Sequence, residues 1–564
     1  MNLPKGPYDP IQTEEEILKF WKKGKYFKPE QQADSRKLKA DSPTFCIICP
    51  PPNANGRPHL GNLSGYCYQD LMGRYHRMKG EKTLLFPGKD HAGIQSEAVY
   101  ERDVLRKEGK TKIDLGREEF YKQCYKFCTD NAKQARADEE RVGLSADYDR
   151  DTFTLDPKIV DIILQTFIDL HKDGKVYKGI RITNWCPHCQ TALADADTER
   201  KTRQADLTYI KYPLGRDALQ CVSTDDVFLT IATTRPETML ADTAVAVNPK
   251  DKRYKKLIGK TVILPLLDRE IPIISDPNVD IEFGTGALKI TPAHAPEDYD
   301  IMLRWNNENP KNKIDYINVI WKDGKLYGPV GKYKGMTIAE AQKAVTEDLR
   351  SKDLIEKVEK IEQNVSICER CKQIIEPIMS SQWYVKTDEI KRNAIDVVKK
   401  GDVKIHPKYM EKRYFQWMEN LRDWPISRSL WWGYRIPAWY KGKFEEHIDD
   451  EGKIIETLDG KPFDLSDTES VKIQLESPGK GWKQDEDVFD TWFSSGQWPY
   501  ATLMKENLMD EFYPTDVMET GYGILELWVS RMIMLGLYRT GKIPFSDVYL
   551  HGTLNAEDGS KMSK

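Results

Sequence analysis

No run of apolar residues in this 564-residue chain approaches the length that crosses a bilayer, so a helical membrane protein is not expected. The charged N-terminus lacks a signal-peptide core, which argues against that export route. Cysteine is sparse: ten residues in so long a chain do not make a disulfide scaffold. A reducing, cytoplasmic compartment is the simpler expectation. An excess of one charge is lacking too. With a formal net charge of −4, nothing draws the whole chain to nucleic acid, and any RNA contact must use local basic patches. What is present is ordinary globular composition, 31% charged and 39% hydrophobic, in a chain too long for one core.

The chain is organised around residues 45–62, FCIICPPPNANGRPHLGN. Phe45 to Cys49 are apolar and short enough for a buried parallel strand. Pro50 to Pro52 stop it, because proline has no N–H for a ladder. Asn53, Asn55 and Gly56 suit a turn, and a helical stretch through Tyr75 follows. A strand, a turn and a helix start form an anion site, since the first N–H groups of a helix have no partner within it. Gly61 would let a nucleotide approach the backbone, and His59 and Asn62 could donate to phosphate oxygens. The plain alternative is that His59 only caps the helix. At the far end, residues 559–564 read GSKMSK. Lys561 and Lys564 place two ammonium groups on a glycine–serine loop, which suits a triphosphate whose charge moves during reaction. Taken alone, they are a charged tail.

In chain order, residues 1–40 read as a polar arm with one amphipathic helix from Thr13 to Lys23. Leu84 to Phe86 is a second short strand, closed by Pro87-Gly88. Asp90 and His91 stand just before a helix, where ligands bind in open α/β sheets. Asp90 suits an amino-acid ammonium group; helix capping is its alternative. Residues 114–175 look helical, with Cys124 and Cys128 as buried thiols. Cys46 and Cys49 match C-x-x-C, but in an extended strand they face opposite sides.

Two other pairs differ. Cys186-Pro187-His188-Cys189 and Cys368-Glu369-Arg370-Cys371 are tight knuckles beside polar residues. Brought together, Cys186, Cys189, Cys368 and Cys371 make a closed tetrahedral zinc site, structural and not catalytic, with His188 a spectator. A separation of about 180 residues then demands an inserted domain whose ends return to one place. The alternative is two unrelated turns. Between the knuckles, Ala205 to Lys352 carries short β-type runs and reads as a compact β-rich domain. Thr233, Thr234, Arg235 and Thr238 in one stretch, and Lys289, Thr291, His294 and Asp298 in another, could hold an ester and orient a water. Turn chemistry with solvated charges is the alternative.

After Cys371 the chain is core-like again. Residues 376–385 and 424–440 are dense in tryptophan, which is usually core but also suits stacking on adenine or an RNA end. Residues 441–482 look like a loose polar insertion. Residues 519–537 read as a helix with an apolar face, and Val548 to Gly552 as a last short strand.

His-Leu-Gly-Asn early and Lys-Met-Ser-Lys late resemble the two signature motifs of class I aminoacyl-tRNA synthetases. In detail the chain resembles the valyl-tRNA synthetases over essentially its whole length. The Phe-Pro-Gly-Lys-Asp-His-Ala-Gly-Ile, Ala-Thr-Thr-Arg-Pro-Glu-Thr-Met-Leu, Asp-Thr-Trp-Phe-Ser-Ser and Trp-Val-Ser-Arg-Met runs carry the likeness. The resemblance implies an α/β fold: a split Rossmann-type parallel-sheet catalytic domain with an inserted β-rich editing domain and a zinc-bearing connective base. The expected division is an arm (1–40), the first Rossmann half (41–150), and a connective base with the first knuckle (151–204). The editing domain (205–352), the second knuckle and return (353–385) and the second Rossmann half with the lysine loop (386–564) follow.

The resemblance also implies roles. His59, Gly61, Asn62, Lys561 and Lys564 bind ATP. Of these, His59, Asn62 and the two lysines are catalytic, stabilising charge as the valine carboxylate attacks the α-phosphorus. Magnesium travels with ATP. Asp90 takes the valine ammonium, and Asn53, Trp492, Ile524 and Trp528 complete the valine pocket. The adenylate is then attacked by a ribose hydroxyl of tRNA(Val). Such a pocket cannot strongly reject threonine, a limit for which this enzyme class is the standing illustration. Hence a second, hydrolytic site for threonyl-tRNA, with Thr234, Arg235, Thr238, Lys289, Thr291 and Asp298. Implied partners are tRNA(Val), valine and ATP, with no membrane, and the state is monomeric.

Asn62 departs from the usual histidine of the first motif, but its amide still donates and the ATP site is expected to survive. Ala295, Gly523, Glu526 and Tyr434 also depart from the family pattern, so editing and pocket details are expected to differ. Family members continue past the lysine loop into an anticodon-binding domain, and the chain is therefore expected to be a fragment. Three other readings compete: an isoleucyl-tRNA synthetase, an RNA-binding or trans-editing module without synthetic activity, and a zinc-stabilised structural protein.

Overall fold

The computed structural model describes residues 9–36, 42–193, 198–215, 217, 227–555, 557 and 559. The arm begins with a helix at Pro10–Gly24, slightly longer than its apolar pattern indicates.

Strand β1 (Thr44–Ile48) is buried from Phe45 onward, as its continuous apolar run requires. Helix α1 (Leu60–Lys79) crosses over to β2 (Lys82–Phe86), which pairs with β1 in parallel, Thr44 opposite Lys82 and Ile48 opposite Phe86. The helix runs one turn past Tyr75 and ends at Gly80, whose φ of 86° is left-handed. The Asp90–His91 turn leads into α2 (Gly93–Tyr100). The expected helical stretch 114–175 is in fact two helices, Arg117–Arg141 and Pro157–Lys172. Between them Thr152–Phe153 pairs in parallel with Gly88–Lys89.

Longer strands and a β-rich body follow. They are β3 (Val176–Cys186), β4 (Thr198–Pro213), β5 (Ala244–Val247) and β6 (Ala287–Ile290). Helix α3 (Pro296–Glu308), β7 (Ile355–Cys368) and β8 (Glu376–Val385) come next. Strand β4 pairs antiparallel with β7, Thr198 opposite Cys368 and Ile210 opposite Ile355. The chain therefore leaves for the β-rich body and returns along one ribbon. Within that body β5 lies between β6 and the strand Arg269–Ser275. Its core, built on residues such as Ile231, Val245 and Ile273, is separate from the main one. Strand β8 runs back antiparallel along β3.

The second parallel group contains β9 (Lys404–His406), β10 (Thr515–Gly521) and, after helix α4 (Ser530–Thr540), β11 (Phe545–His551). The order is β9-β11-β10. Strand β10 lies beside β1: the Cys46 N–H donates to Asp516 Oδ2 at 2.7 Å, and the Cys49 thiol, whose pKa burial chiefly raises, also feels the charge of Glu519. Both pairs share one sequence offset, so the strands run in the same direction. The carboxyl ends of β1, β2, β10 and β11 thus share one edge. Phe45, Ile47 and Cys49 pack on one face, Cys46 and Ile48 on the other.

Two expectations need correction, and one open alternative resolves in favour of the core. Residues 519–521 are the end of β10, and helical turns begin only at Tyr522. An apolar run does not separate a buried strand from a helix. Residues 441–482 are not loose. They include the hairpin Phe444–Ile448 with Ile454–Leu458. The Lys178 ammonium sits 4.1 Å from the Phe444 ring centroid and 5.4 Å from that of Tyr440, fastening the insertion to β3. Trp383, Trp424 and Trp432 are buried core residues, which removes them as surfaces for stacking.

Candidate active site and cysteine cluster

His59 holds the N-cap position of α1 in extended conformation (φ −109°, ψ 173°). Its Nδ1 accepts from the Gly61 N–H at 3.0 Å, and Asn62 Oδ1 accepts from the His59 N–H at 3.0 Å. This reciprocal cap realises the plain alternative, and it also fixes the ring. With Nδ1 accepting, a neutral imidazole carries its proton on Nε2. A Cβ on Gly61 would stand 2.8 Å from His59 Cε1, so glycine here makes room for the imidazole. Lys561 and Lys564 lie outside the described residues. The strand leading to them, β11, ends against α1. A Cβ on Gly65 would lie 3.3 Å from both His551 Cε1 and Glu519 Oε2. Gln69 Nε2 donates to Glu519 Oε2 at 2.8 Å, and His551 Nδ1 bonds the same carboxylate.

Asn53 and Asp90 face each other across a parallel bridge, with the Ala54 N–H on Asp90 O at 2.8 Å. Asp90 is buried. Its Oδ1 accepts from Thr154 Oγ1 at 3.1 Å and from the Ala92 N–H at 3.2 Å. Beside it, the buried His91 has its N–H on Thr154 Oγ1 at 2.8 Å. Trp492 stands on the short helix Thr491–Ser495, and a Cβ on Gly93 would meet Thr491 Oγ1 at 2.4 Å. The Asp90 turn and the Trp492 helix therefore touch. Trp528 is buried, donating Nε1–H to Ser495 O at 2.9 Å, and Ile524 follows directly on the end of β10. These linked contacts bring Asn53, Asp90, Trp492, Ile524 and Trp528 to the carboxyl edge of the sheet. Of the departures, Glu526 pairs with Arg413 (Nη2 at 3.1 Å), and the Tyr434 hydroxyl donates to Thr154 O.

In the β-rich body, Thr238, Lys289, Thr291 and Asp298 converge. Lys289 Nζ donates to Thr238 Oγ1 at 3.0 Å and to the Thr291 hydroxyl. The Thr291 N–H donates to Asp298 Oδ2 at 2.9 Å. The hub is a residue that the sequence does not single out. Asp242, fully buried, accepts from Lys289 Nζ at 3.2 Å, Thr291 Oγ1 at 2.6 Å and the Tyr212 hydroxyl at 2.7 Å. The only sequence signal is a charged residue, followed by one threonine, in the largely apolar run LADTAVAV. Arg235 stands apart, its Nε on Glu237 Oε1 at 2.9 Å and its Nη2 on Glu376 Oε2 at 2.6 Å. Thr234 does not join the cluster: its hydroxyl accepts from Gln363 at 3.0 Å. His294 is a pin. Its Nε2 accepts the Val319 N–H at 3.0 Å, and burial pushes its pKa down to about 3. Ala295 is the N-cap of α3 and supplies no side-chain cap.

Burial pushes the Asp298 carboxyl up to about 7, against the pull of Lys289 and the Thr291 N–H. Burial also raises Asp242. A carboxyl titrating near neutrality beside hydroxyls and an ammonium group can orient and deprotonate a water.

The knuckles meet. The sulfurs of Cys186, Cys189, Cys368 and Cys371 all lie within 4.8 Å of one another, with Cys186 to Cys371 at 3.5 Å and Cys189 to Cys368 at 4.0 Å. Tetrahedral zinc–thiolate bonds place sulfurs about 3.8 Å apart, so the four residues fit such an ion. His188 Nδ1 is 4.0 Å from Cys189 Sγ.

Residues 16–564 match the family described as tRNA synthetases class I (I, L, M and V). The chain is 43% identical over 560 residues to the valine–tRNA ligase of Clostridium acetobutylicum, covering 99% of this chain and 59% of that protein. The Clostridium tetani valine–tRNA ligase is 44% identical over 560 residues, with the same coverage. The Staphylococcus aureus (strain MRSA252) valine–tRNA ligase is 42% identical over 568 residues, at 99% and 59%. The chain thus spans about three fifths of the length of these relatives. A solved complex of Agrobacterium radiobacter K84 LeuRS with tRNA and LeuAMS matches at TM-score 0.47 and 16% identity, covering 99% of this chain and 69% of that one.

Proposed function

The chain belongs to the class I tRNA synthetases (I, L, M and V), and from that premise we propose that it forms the catalytic and editing portion of a valine–tRNA ligase. The observation that carries this reading is the shared edge. A capped helix start at His59 and the Asp90 turn stand together at the carboxyl ends of parallel strands. Such an edge is where α/β sheets take ligands.

In this reading a split Rossmann-type domain (41–150 and 386–564) carries activation, and 205–352 is the inserted editing domain. The connective base is 151–204 with the return 353–385. Asp90 receives the valine ammonium, while Asn53, Trp492, Ile524 and Trp528 bound the side chain. The Nε2–H of His59, the amide of Asn62 and the start of α1 take phosphate oxygens of ATP, which brings Mg2+ with it. Lys561 and Lys564 complete the phosphate grip. The valine carboxylate attacks the α-phosphorus, pyrophosphate leaves, and valyl-adenylate forms. Positioning and electrostatics carry such a displacement. A ribose hydroxyl of tRNA(Val) then attacks the adenylate carbonyl and releases AMP.

Threonine matches valine in shape, so a hydrolytic site is needed. Asp298 is the base that deprotonates water there. Thr238, Lys289 and Thr291 hold the ester, and Arg235 and Thr234 act at its margin. Cys186, Cys189, Cys368 and Cys371 would hold a structural Zn2+ with no open position.

Valine-dependent exchange of pyrophosphate into ATP tests the reading. We expect exchange with valine and far less with isoleucine. Exchange driven by isoleucine would move the chain to the isoleucyl branch, and hydrolysis of threonyl-tRNA with no exchange would make it an editing module. Metal analysis tests the cluster: about one zinc per chain is expected, falling sharply in Cys186→Ser. Unchanged content would mean that the four thiols do not share an ion.

A further inference from the structure

Glu97 lies in α2, the helix that follows the Asp90 turn, and is completely buried. A buried carboxylate needs partners on both oxygens, and this one has them, from two different parts of the chain. Its Oε2 accepts the backbone N–H groups of Trp431 at 2.9 Å and Trp432 at 3.0 Å. Its Oε1 accepts from the Lys112 ammonium at 2.7 Å, with the Arg370 guanidinium at 3.8 Å. Arg370 stands between Cys368 and Cys371 and pairs with Glu101 Oε1 at 3.1 Å. Ile94, one turn earlier in α2, packs on the cysteine cluster itself.

From Trp432 the contacts continue to the amino-acid side of the cleft. Trp432 donates Nε1–H to His91 O at 2.9 Å. The next residue, Gly433 (φ 140°), passes so close that a Cβ would lie 3.7 Å from His91 Nε2. His91 is the neighbour of Asp90. Thus one carboxylate ties the Trp431–Trp432 segment, and through it the Asp90–His91 turn, to the knuckle that carries Arg370.

We propose that Glu97 is a positioning residue for amino-acid binding, and that through it the cysteine cluster braces the Asp90 side of the cleft. The proposal rests on the reading of Asp90 as the ammonium acceptor. Charge-assisted bonds to two successive backbone N–H groups hold the segment at fixed orientation and depth. Errors of about 1 Å in such supporting groups lower the efficiency of a site without dissolving the fold.

Glu97→Gln separates this role from a general structural one. It keeps the shape and one acceptor oxygen but turns N–H groups toward Lys112 or the tryptophan amides. In valine-dependent exchange, KM for valine should rise about tenfold while KM for ATP stays within about twofold. Hydrogen exchange should show faster labelling of peptides covering 89–93 and 430–434. Glu101→Gln, which loosens the hold on Arg370 while leaving the Glu97 bonds to the tryptophan amides in place, should give the same changes at smaller size. An unchanged KM for valine, or a joint rise for valine and ATP, would overturn the proposal. So would unaltered labelling of both peptides. Labelling changes of the expected kind in a chain that shows no exchange even as wild type would instead refute the assignment of valine activation.

Discussion

Lys289→Met is expected to destabilise the chain by about 3–5 kcal/mol, among the largest effects of any single substitution in the β-rich body. The cause is electrostatic. Lys289 Nζ is the cation in direct contact with Asp242, and it also lowers the Asp298 pKa; both carboxyls are buried. Removing it leaves one buried carboxyl without its ion pair and the other without its nearest positive charge. It also strips a donor from the Thr238 and Thr291 hydroxyls. Methionine fills the volume, so the loss reports charge and hydrogen bonding more than packing. Urea unfolding at pH 8 gives the measurement. Adding Asp242→Asn to Lys289→Met should recover part of the loss, because the two residues are in contact and their effects are not additive. A cost below about 1 kcal/mol would place the pair in the range of solvent-screened surface bridges.

Asp298→Asn should act in the opposite direction, stabilising the fold while abolishing hydrolysis. Burial raises the folded pKa from 3.8 to about 7. Between those values the folded chain binds a proton that the unfolded chain has lost. Stability therefore falls as pH rises through that window, and the deficit is constant above it. A rise of that size is worth on the order of 4 kcal/mol at most. Asparagine retains an oxygen for the Thr291 N–H and never ionises. The variant and wild type should accordingly be close at pH 4, diverge up to pH 7, and stay separated at pH 8. Parallel stability curves over that range would mean that Asp298 ionises in the fold at its ordinary value. Hydrolysis by wild type should itself decline below pH 7, as the base becomes protonated.

Much of the sheet edge was legible. Residues 45–49 are apolar without interruption because β1 is covered on both faces, and the prolines after it mark where the ladder ends. The knuckles were legible as spacing, but their meeting depends on the β4–β7 ribbon, whose register no local pattern encodes. Asp242 was invisible for a similar reason. Its partners Tyr212, Lys289 and Thr291 come from two strands, β4 and β6 with its end, and a lone aspartate carries no periodicity. The insertion at 441–482 reads as loose in sequence because its anchor, Lys178, belongs to a distant strand. His59 shows the opposite case: the capping reading and the phosphate reading are compatible, because the cap uses Nδ1 and leaves the proton on Nε2.

Two chemically separate sites on one chain are the core of the proposed function. The direct measurement uses one preparation of Asp298→Asn assayed twice, for valine-dependent pyrophosphate exchange and for hydrolysis of threonyl-tRNA. Exchange at the wild-type rate with hydrolysis lost is the predicted result. Loss of both activities together in a folded variant would contradict it.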